Sequence, residues 1–308
     1  MLLDRNTAPY VDAFHNRPAQ DEPAWLSQRR QAAIGRFAEL GFPTRKQESW
    51  RFTGLLPLTA GPILPAGVGS GAIPSRLASY YFSGETHRIV LVDGLFSKEH
   101  SNIGALPEGV YLASIAEAVK ERPGLVQAAF DASEETGAQP FASLNAGLFA
   151  DGFVLALDHG VVLEAPVEIV HCGTAPHSFH LRNLIYAGAG SSAAIVETAT
   201  GSAASWTNSV TTIDIGAVAA IRHVKIQDEA KEAIHFSLTR ATVAKAARYE
   251  TFALTTGARL SRQDIHVAAA GKNASIAING AYLLRGDQEA TFAPFVDHRA
   301  EGYQTAQL

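Results

Sequence analysis

The single cysteine and the eleven histidines are the residues of this chain whose types could support metal or nucleophilic chemistry. Cys172 directly follows His171 in a run that we predict to be a strand, where consecutive side chains point to opposite faces. A thiolate and an imidazole that diverge in this way form neither a metal site nor a nucleophile–base pair. We therefore interpret Cys172 as a small, buried apolar side chain.

The other histidines are spread over separate predicted elements. His177 and His180 form an H-x-x-H pattern, but a strand directs these two side chains to opposite faces. Stacking of strands would bring further rings onto one face, which spacing alone does not show; these histidines are His223, His235, His266 and His298. Asp297 and His298 are the metal-ligand candidates that we retain, because a carboxylate can fix the tautomer of an imidazole.

No catalytic residue is predicted. The sequence has no G-x-S-x-G nucleophile elbow, and the thiol has no evident base. The alternative function is a β-helix carbohydrate-active enzyme, a lyase or hydrolase, which would need carboxylates and bases clustered on one sheet. Arg262, Asp264 and Glu250 are the residues that would have to form this cluster. A cupin-type metal fold is not favoured, because its pattern of two histidines separated by one residue is absent.

The composition is typical of a globular protein without affinity for nucleic acid or membranes. Of the 308 residues, 47% are hydrophobic and 18% are charged, and 25 basic against 30 acidic residues give a net charge of −5. No basic block is present, and no apolar run reaches the roughly 18 residues of a membrane span. Because the start lacks a signal-peptide pattern and one cysteine cannot form an internal disulfide, we expect a cytoplasmic protein.

The elements that must position these residues are mainly strands, which extend from about residue 153 to residue 296. In residues 161–169 apolar side chains alternate with Glu164 and Glu168, and in residues 274–284 they alternate with small or polar ones. This period of two predicts strands that bury one face.

The spacing of the turns indicates a repeat. Gly257, Gly271 and Gly286 are 14 and 15 residues apart, and Gly190 and Gly216 are 26 residues apart. A unit of about 13 to 15 residues, made of one strand and one turn, is typical of a stacked β-solenoid. A β-sandwich or jelly roll, with strands every 8 to 12 residues or so, fits the spacing about equally well.

Two helices are predicted before the strands, over residues 4–17 and 24–40. On the second helix Arg29, Arg30 and Arg36 are expected to face solvent. A dense cluster of charged and aromatic residues follows. We interpret this cluster as a connector whose charges pair among themselves, because it lacks the glycine pattern of a phosphate-binding loop.

Within this cluster Thr44 and Gln47 are in capping-box register. Trp50 and Phe52 alternate as in an extended segment that lays two rings on an apolar surface. The segment resembles the N-terminal signature of the SufB/SufD family of iron–sulfur cluster assembly proteins, which usually has tyrosine in place of Phe52. The motif residues that carry the resemblance, expected to be structural, are Pro43, Thr44, Arg45, Lys46, Glu48, Trp50, Arg51 and Thr53. The end of the chain, from Asp297-His298 to Leu308, is similar to a second block of that family.

The resemblance implies a mainly β protein, in which a small N-terminal helical region precedes a right-handed parallel β-helix. It implies a scaffold subunit without enzymatic activity that pairs with SufB and works with the ATPase SufC in iron acquisition and cluster assembly. A homodimer through the β-helix edge is the other expected assembly. One cysteine cannot supply the four thiolates, or two thiolates and two imidazoles, that a cluster takes. Iron or a cluster is therefore expected only transiently within the complex.

Three segments are expected along the chain. Residues 1–55 form the helical region with the motif, residues 56–150 a Gly/Pro-rich linker and a mixed α/β segment, and residues 151–308 the β-helix core. In the family, more β-helix and a C-terminal helical segment follow the second block. The resemblance thus implies a chain truncated inside its solenoid, without the segment that would contact SufC.

Overall fold

The computed structural model describes residues 5–18, 21–65, 73, 75–134, 139–299, 301–302 and 304–307. The chain begins with two helices, close to the predicted ones. The helices are α1 (Ala8–His15), α2 (Ala24–Leu40), α3 (Leu56–Thr59), α4 (Ile115–Glu121), α5 (Pro123–Glu134) and α6 (Pro140–Leu148). Short stretches of 3-10 helix lie at Glu48–Trp50 and Ser75–Tyr80. No helix in these ranges is long and apolar enough to cross a membrane.

The rest of the chain is built from strands that alternate between two sheets. They are β1 (His87–Val92), β2 (Leu95–Phe96), β3 (Val110–Ser114), β4 (Phe153–Leu157), β5 (Val167–Gly173), β6 (Ser178–Ala187), β7 (Ser192–Gly201), β8 (Trp206–Ile215), β9 (Ala220–Asp228), β10 (Ile234–Val243), β11 (Arg248–Thr255), β12 (Leu260–Ala269), β13 (Ser275–Tyr282), β14 (Glu289–His298) and β15 (Gln304–Gln307). The eight-stranded sheet has the order β15-β13-β11-β9-β7-β5-β1-β2, and the seven-stranded sheet has the order β14-β12-β10-β8-β6-β4-β3.

From β4 onward each strand pairs in parallel with the next strand but one, which makes a parallel β-solenoid of about five turns. The predicted β-helix is confirmed, and the sandwich or jelly-roll alternative is wrong. The right-handed sense stays a prediction, which follows the general rule for parallel crossovers. The boundaries of the three predicted segments likewise stay predictions.

The strand register explains the repeat in the sequence. Ser178 pairs with Trp206 and Trp206 with Ile234, so each of these turns takes 28 residues. The next turns, from Ile234 to Leu260 and from Leu260 to Glu289, take 26 and 29 residues. The predicted unit of about 13 to 15 residues is therefore half a turn of the solenoid, one strand of each sheet.

The connections from the seven-stranded to the eight-stranded sheet repeat one backbone conformation. The third residue of each connection has a positive φ, and these residues are Gly190 (72°), Val218 (62°), Ala246 (54°) and Asn273 (60°). Each donates its N–H to a carbonyl of the following turn, so the connections stack as a ladder. At Gly271 an added Cβ atom would lie 2.0 Å from the backbone nitrogen of Lys245. The regular glycines of the sequence thus mark stacked turns.

The N-terminal helices cover the outer face of the seven-stranded sheet. Aromatic rings from both sides interlock there with centroid separations of 4.9–6.2 Å, mostly edge to face. The rings belong to Tyr10, Phe37, Phe42, Trp50, Phe141, Trp206 and Phe236. A second apolar core fills the solenoid itself, with Ile195, Ile213 and Tyr249 among its members.

Some local expectations are wrong. Arg30 is buried, because it pairs with Glu22 at 2.8 Å and donates to the carbonyl of Phe149 at 2.7 Å. Strand β5 begins at Val167 and not near residue 161. Trp50 ends a short 3-10 helix, so it does not alternate with Phe52 in an extended segment.

Candidate functional site

A band of polar side chains lies inside the solenoid beside its apolar core. It forms where inward-facing positions of the eight-stranded sheet meet those of the seven-stranded sheet. Every member is at most 6% exposed. We call this band the polar seam; its residues are His171, Glu197, Thr207, Ser209, His223, Lys225, Gln227, Glu229, His235, Ser237, Thr239 and Gln263.

Glu197 is the centre of the first cluster in the polar seam. Its carboxylate lies 2.8 Å from Nε2 of His223, 3.8 Å from Nε2 of His171 and 3.8 Å from Nζ of Lys225. Burial acts to raise the pKa of Glu197, but Lys225 and His223 outweigh burial and hold the pKa well below its usual value. The other nitrogen of His223 lies 3.3 Å from the hydroxyl of Tyr249, which fixes the ring from its far side.

Glu229 is the centre of the second cluster. Its carboxylate accepts hydrogen bonds from Thr207 at 2.6 Å and from the amide of Gln227 at 2.9 Å, and Nδ1 of His235 lies 2.8 Å away. Burial acts to raise the pKa of Glu229, but His235 and these hydrogen bonds lower it. Both buried carboxylates are therefore held as ions by the groups around them.

The polar seam is not arranged like a metal centre. Lys225 places a cation beside Glu197, where a metal ion would have to bind, and it also donates to the hydroxyls of Ser237 and Thr239. Within the described ranges no group of three or more His, Cys, Asp or Glu is placed to hold a metal ion. The geometry instead supports a network that orders facing strands of the two sheets.

The structure separates His171 from Cys172, as the sequence predicts. His171 enters the polar seam, whereas Cys172 points outward and packs in a small apolar cluster with Leu77, Val90 and Val170. The interpretation of Cys172 as a buried apolar side chain is confirmed.

The H-x-x-H pattern does not form a site. His180 is buried under the N-terminal helices, where the amide of Asn208 lies 3.1 Å from Nδ1 and the hydroxyl of Ser178 lies 3.2 Å from Nε2. Burial lowers the pKa of His180 to about 3, so the ring is neutral. His177 lies in the connection before β6.

Stacking brings only some of the remaining histidines together. His223 and His235 enter the polar seam, but His266 lies on the outer face, where its ring centroid is 5.7 Å from that of Phe295. Asp297 accepts a hydrogen bond of 2.6 Å from Arg299, and His298 follows it on the opposite face of β14. A ligand role for Asp297 and His298 stays a prediction.

The family motif docks on the outer face of β12 and β14. The guanidinium of Arg262 lies 4.0 Å from the centroid of the Trp50 ring, and its Nη1 donates to Oγ1 of Thr53 over 3.0 Å. Thr53 is buried, and its hydroxyl also lies 3.1 Å from that of Thr291 on β14. Trp50 and Thr53 thus fix the segment to the last two turns.

The other motif residues shape the segment around these two anchors. The N–H of Thr44 donates to the Gln47 side chain at 3.1 Å, so this half of the predicted capping box is confirmed. Arg45 lies against Gly54, where an added Cβ would be 2.8 Å from its Nη2. Pro43 is buried, whereas Lys46, Glu48 and Arg51 are exposed. Phe52 is 81% exposed, so the predicted contact of its ring with an apolar surface is wrong.

The residues proposed for carbohydrate chemistry do not converge. Arg262 and Asp264 form an ion pair of 2.8 Å on the outer face of the seven-stranded sheet, beneath Trp50. Glu250 pairs with Arg222 at 3.2 Å on the outer face of the other sheet. The two groups therefore lie on opposite sides of the solenoid.

Comparison with known proteins identifies the family. The profile described as "SufBD protein N-terminal region" matches residues 83–169, and that described as "SUF system FeS cluster assembly, SufBD core domain" matches residues 170–308. The chain belongs to the SufBD family. The resemblance read in the sequence is confirmed.

Curated relatives carry corresponding names. An iron–sulfur cluster assembly SufBD family protein of Synechocystis is 24% identical over 260 residues, which cover 80% of this SufBD chain and 57% of the relative. The iron–sulfur cluster assembly protein SufD of Escherichia coli is 22% identical over 289 residues, covering 92% of this chain and 65% of the relative. The chain thus spans under two thirds of the length of these relatives.

The polar seam of this SufBD chain was missed by the sequence interpretation. In β9, apolar Val224 and Ile226 alternate with His223, Lys225 and Gln227, and the usual reading of a strand buries the apolar set. The structure does the opposite, because register places Lys225 beside inward-facing Glu197. The signal in the sequence was the recurrence of charged residues at one position of successive turns.

Two strands end the SufBD solenoid in the described part of the chain. β14 and β15 each have a neighbour on one side only. The N–H groups of Glu289 and Arg299 point back to the previous turn, so the alternate, even-numbered positions of β14 point outward. Pro294 occupies such a position, where its missing N–H costs no ladder bond. The rest of this edge offers backbone groups to a partner.

Proposed function

We propose that this chain is a scaffold subunit of Suf iron–sulfur cluster assembly that pairs with a SufB homologue and works with a SufC ATPase homologue. The observation that carries the proposal is the match of two consecutive SufBD profiles over residues 83–308. The names of the curated relatives, which refer to iron–sulfur cluster assembly and SufD, support it. A cytoplasmic location is part of the proposal.

The pairing surface in this proposal is the open end of the solenoid. Exposed backbone groups at a sheet edge are a template for strands of another chain. Phe295 on β14 is 59% exposed and adds apolar contact area beside this edge. A SufB homologue of the same fold is the proposed partner, and a homodimer through the same edge is the competing assembly.

The chain acts without enzymatic activity of its own in this proposal. Its buried carboxylates are engaged by histidine, lysine and hydroxyl groups, so none is available as a general acid or base. With Cys172 as its one thiol, the chain handles iron or a cluster only transiently, as cargo completed by ligands from the complex. The energy-consuming step belongs to the SufC homologue.

Co-expression with the SufB and SufC homologues of the same organism tests the proposal. We expect a stable complex in size-exclusion chromatography with light scattering. Phe295→Asp is expected to weaken pairing at least about tenfold, because it places a charge beside the edge. Val162→Asp is the matched control, since Val162 is also 59% exposed but lies before β5, far from the open end. Absence of any complex with wild-type protein would refute the proposal.

A further inference from the structure

A small cavity lies inside the polar seam, between the Glu197 and Glu229 clusters. Its volume is about 10 Å³. Both clusters contribute to its lining, and so does the facing sheet through Ser209 and Gln263. The polar lining residues are His171, Glu197, Ser209, Lys225, Gln227, His235 and Gln263.

Unsatisfied polar atoms surround this cavity. In the described part of the chain, Nδ1 and Nε2 of His171 and Oε1 of Gln263 are buried without a hydrogen-bond partner. A buried polar atom left in this condition costs about 1–3 kcal/mol. Proteins usually satisfy such atoms with ordered water.

The distances at the cavity suit a bridging molecule. Nε2 of His171 lies 3.8 Å from the Glu197 carboxylate, and Nζ of Lys225 lies 3.8 Å from the same carboxylate. Both distances exceed a direct hydrogen bond and fall in the range where a water can connect two polar groups. The volume of the cavity equals about one water-sized sphere.

We propose that this cavity binds one water molecule that bridges His171, Lys225 and Gln263. The ammonium of Lys225 donates to the water, and the water donates to Oε1 of Gln263 and to the neighbouring imidazole or carboxylate. A buried water makes about three hydrogen bonds, which matches this set. The water joins the Glu197 and Glu229 clusters into one network across the two sheets. This inference does not depend on the proposed role in cluster assembly.

The charges around the cavity favour a neutral ligand. Glu197 opposes a small anion, and Lys225 opposes a cation, while each neutralises the other. Glu229 is already paired with His235. A charged occupant would therefore remain uncompensated in a buried site, which is costly.

Crystallography of the wild-type chain tests the proposal directly. At high resolution we expect one ordered peak within about 3.2 Å of His171, Lys225 and Gln263. An empty cavity, in a map that shows other buried waters, would overturn the proposal. A crystal soaked in bromide provides the second arm: an anomalous peak in the cavity would show an anion site and overturn the neutral ligand.

A pair of variants tests the site in solution. Gln263→Met keeps the size of the side chain but removes Oε1, so we expect loss of the water peak and a changed ¹⁵N shift of the His171 ring. Ser261→Ala is the matched control, because Ser261 is buried two positions away on the same face of β12, outside the cavity lining. Equal His171 shifts in wild type and Gln263→Met would contradict the proposal. If Gln263→Met does not fold, the wild-type crystal decides.

Discussion

Nη1 of Arg262 donates a hydrogen bond of 3.0 Å to Oγ1 of Thr53, which ties the family motif to strand β12 of the solenoid. The same guanidinium lies over Trp50 and forms two hydrogen bonds to Asp264, at 2.9 and 2.8 Å. One buried side chain thus connects the N-terminal segment to the last turns. The motif is therefore a clasp between the helical region and the solenoid.

We expect Arg262→Ala to lower the free energy of unfolding by about 3 kcal/mol, because it leaves the largely buried Asp264 unpaired and removes the contact with Trp50. Urea unfolding followed by tryptophan fluorescence measures this loss. Arg248→Ala is the control, since the Arg248 side chain is 60% exposed, and a change below about 0.5 kcal/mol is expected. Similar losses in both variants would show that Arg262 is not a clasp.

Strand content and repeat length were predictable from the sequence because they depend on local patterns. Alternation and turn glycines such as Gly257 and Gly271 reflect the backbone geometry of each half turn. The choice between solenoid and sandwich was not predictable from spacing, since it depends on which strands pair, and the family motif decided it. The burial of Arg30 was also hidden, because its partner Glu22 precedes the helix and its carbonyl acceptor at Phe149 is distant in sequence.

Glu197→Gln is expected to destabilise the chain by about 3–5 kcal/mol at neutral pH, because Lys225 would remain charged and buried without its counter-ion. Thermal or urea unfolding measures this effect. The control is Glu250→Gln on the outer face, where the Glu250 side chain is 31% exposed and a small change is expected. A loss at Glu197 no larger than at Glu250 would contradict a buried charge network.

The pH dependence of stability provides a separate test of Glu197. Its pKa is lower in the folded chain than the 4.5 of an ordinary glutamate, so its stabilising contribution is present above about pH 4.5 and is lost as pH falls toward the folded-state pKa. We expect wild type to lose up to about 1.4 kcal/mol per pH unit more than Glu197→Gln over this acidic range. Parallel stability curves would exclude a lowered pKa.

His180 should remain neutral well below the pH at which a free histidine becomes charged. Its pKa is lowered from 6.5 to about 3 by burial, so protons bind the unfolded chain preferentially between these values. Stability should therefore fall on acidification below about pH 6.5, and His180→Gln should reduce this fall. Long-range ¹H–¹⁵N NMR should show a neutral ring with the proton on Nε2, facing Ser178. A ring that becomes charged near pH 6 would contradict this assignment.

The polar seam could not be derived from sequence periodicity, because alternation identifies the two faces of a strand but not which face is inside. Lys225 and Glu197 satisfy each other across a strand pair, so burial of charge becomes acceptable only in the assembled solenoid. Their interaction is a property of register, which a single strand does not encode.

Two glycine substitutions should have opposite effects. At Gly271 an added Cβ would meet the backbone nitrogen of Lys245 at 2.0 Å, so we expect Gly271→Ala to destabilise the chain by about 3 kcal/mol through distortion of stacked turns. At Gly35, inside α2, an added Cβ meets nothing within 4 Å, and Gly35→Ala should stabilise by about 0.5–1 kcal/mol because alanine favours helix. Urea unfolding distinguishes the two signs. Equal effects would mean that close stacking of the turns does not explain the glycine spacing.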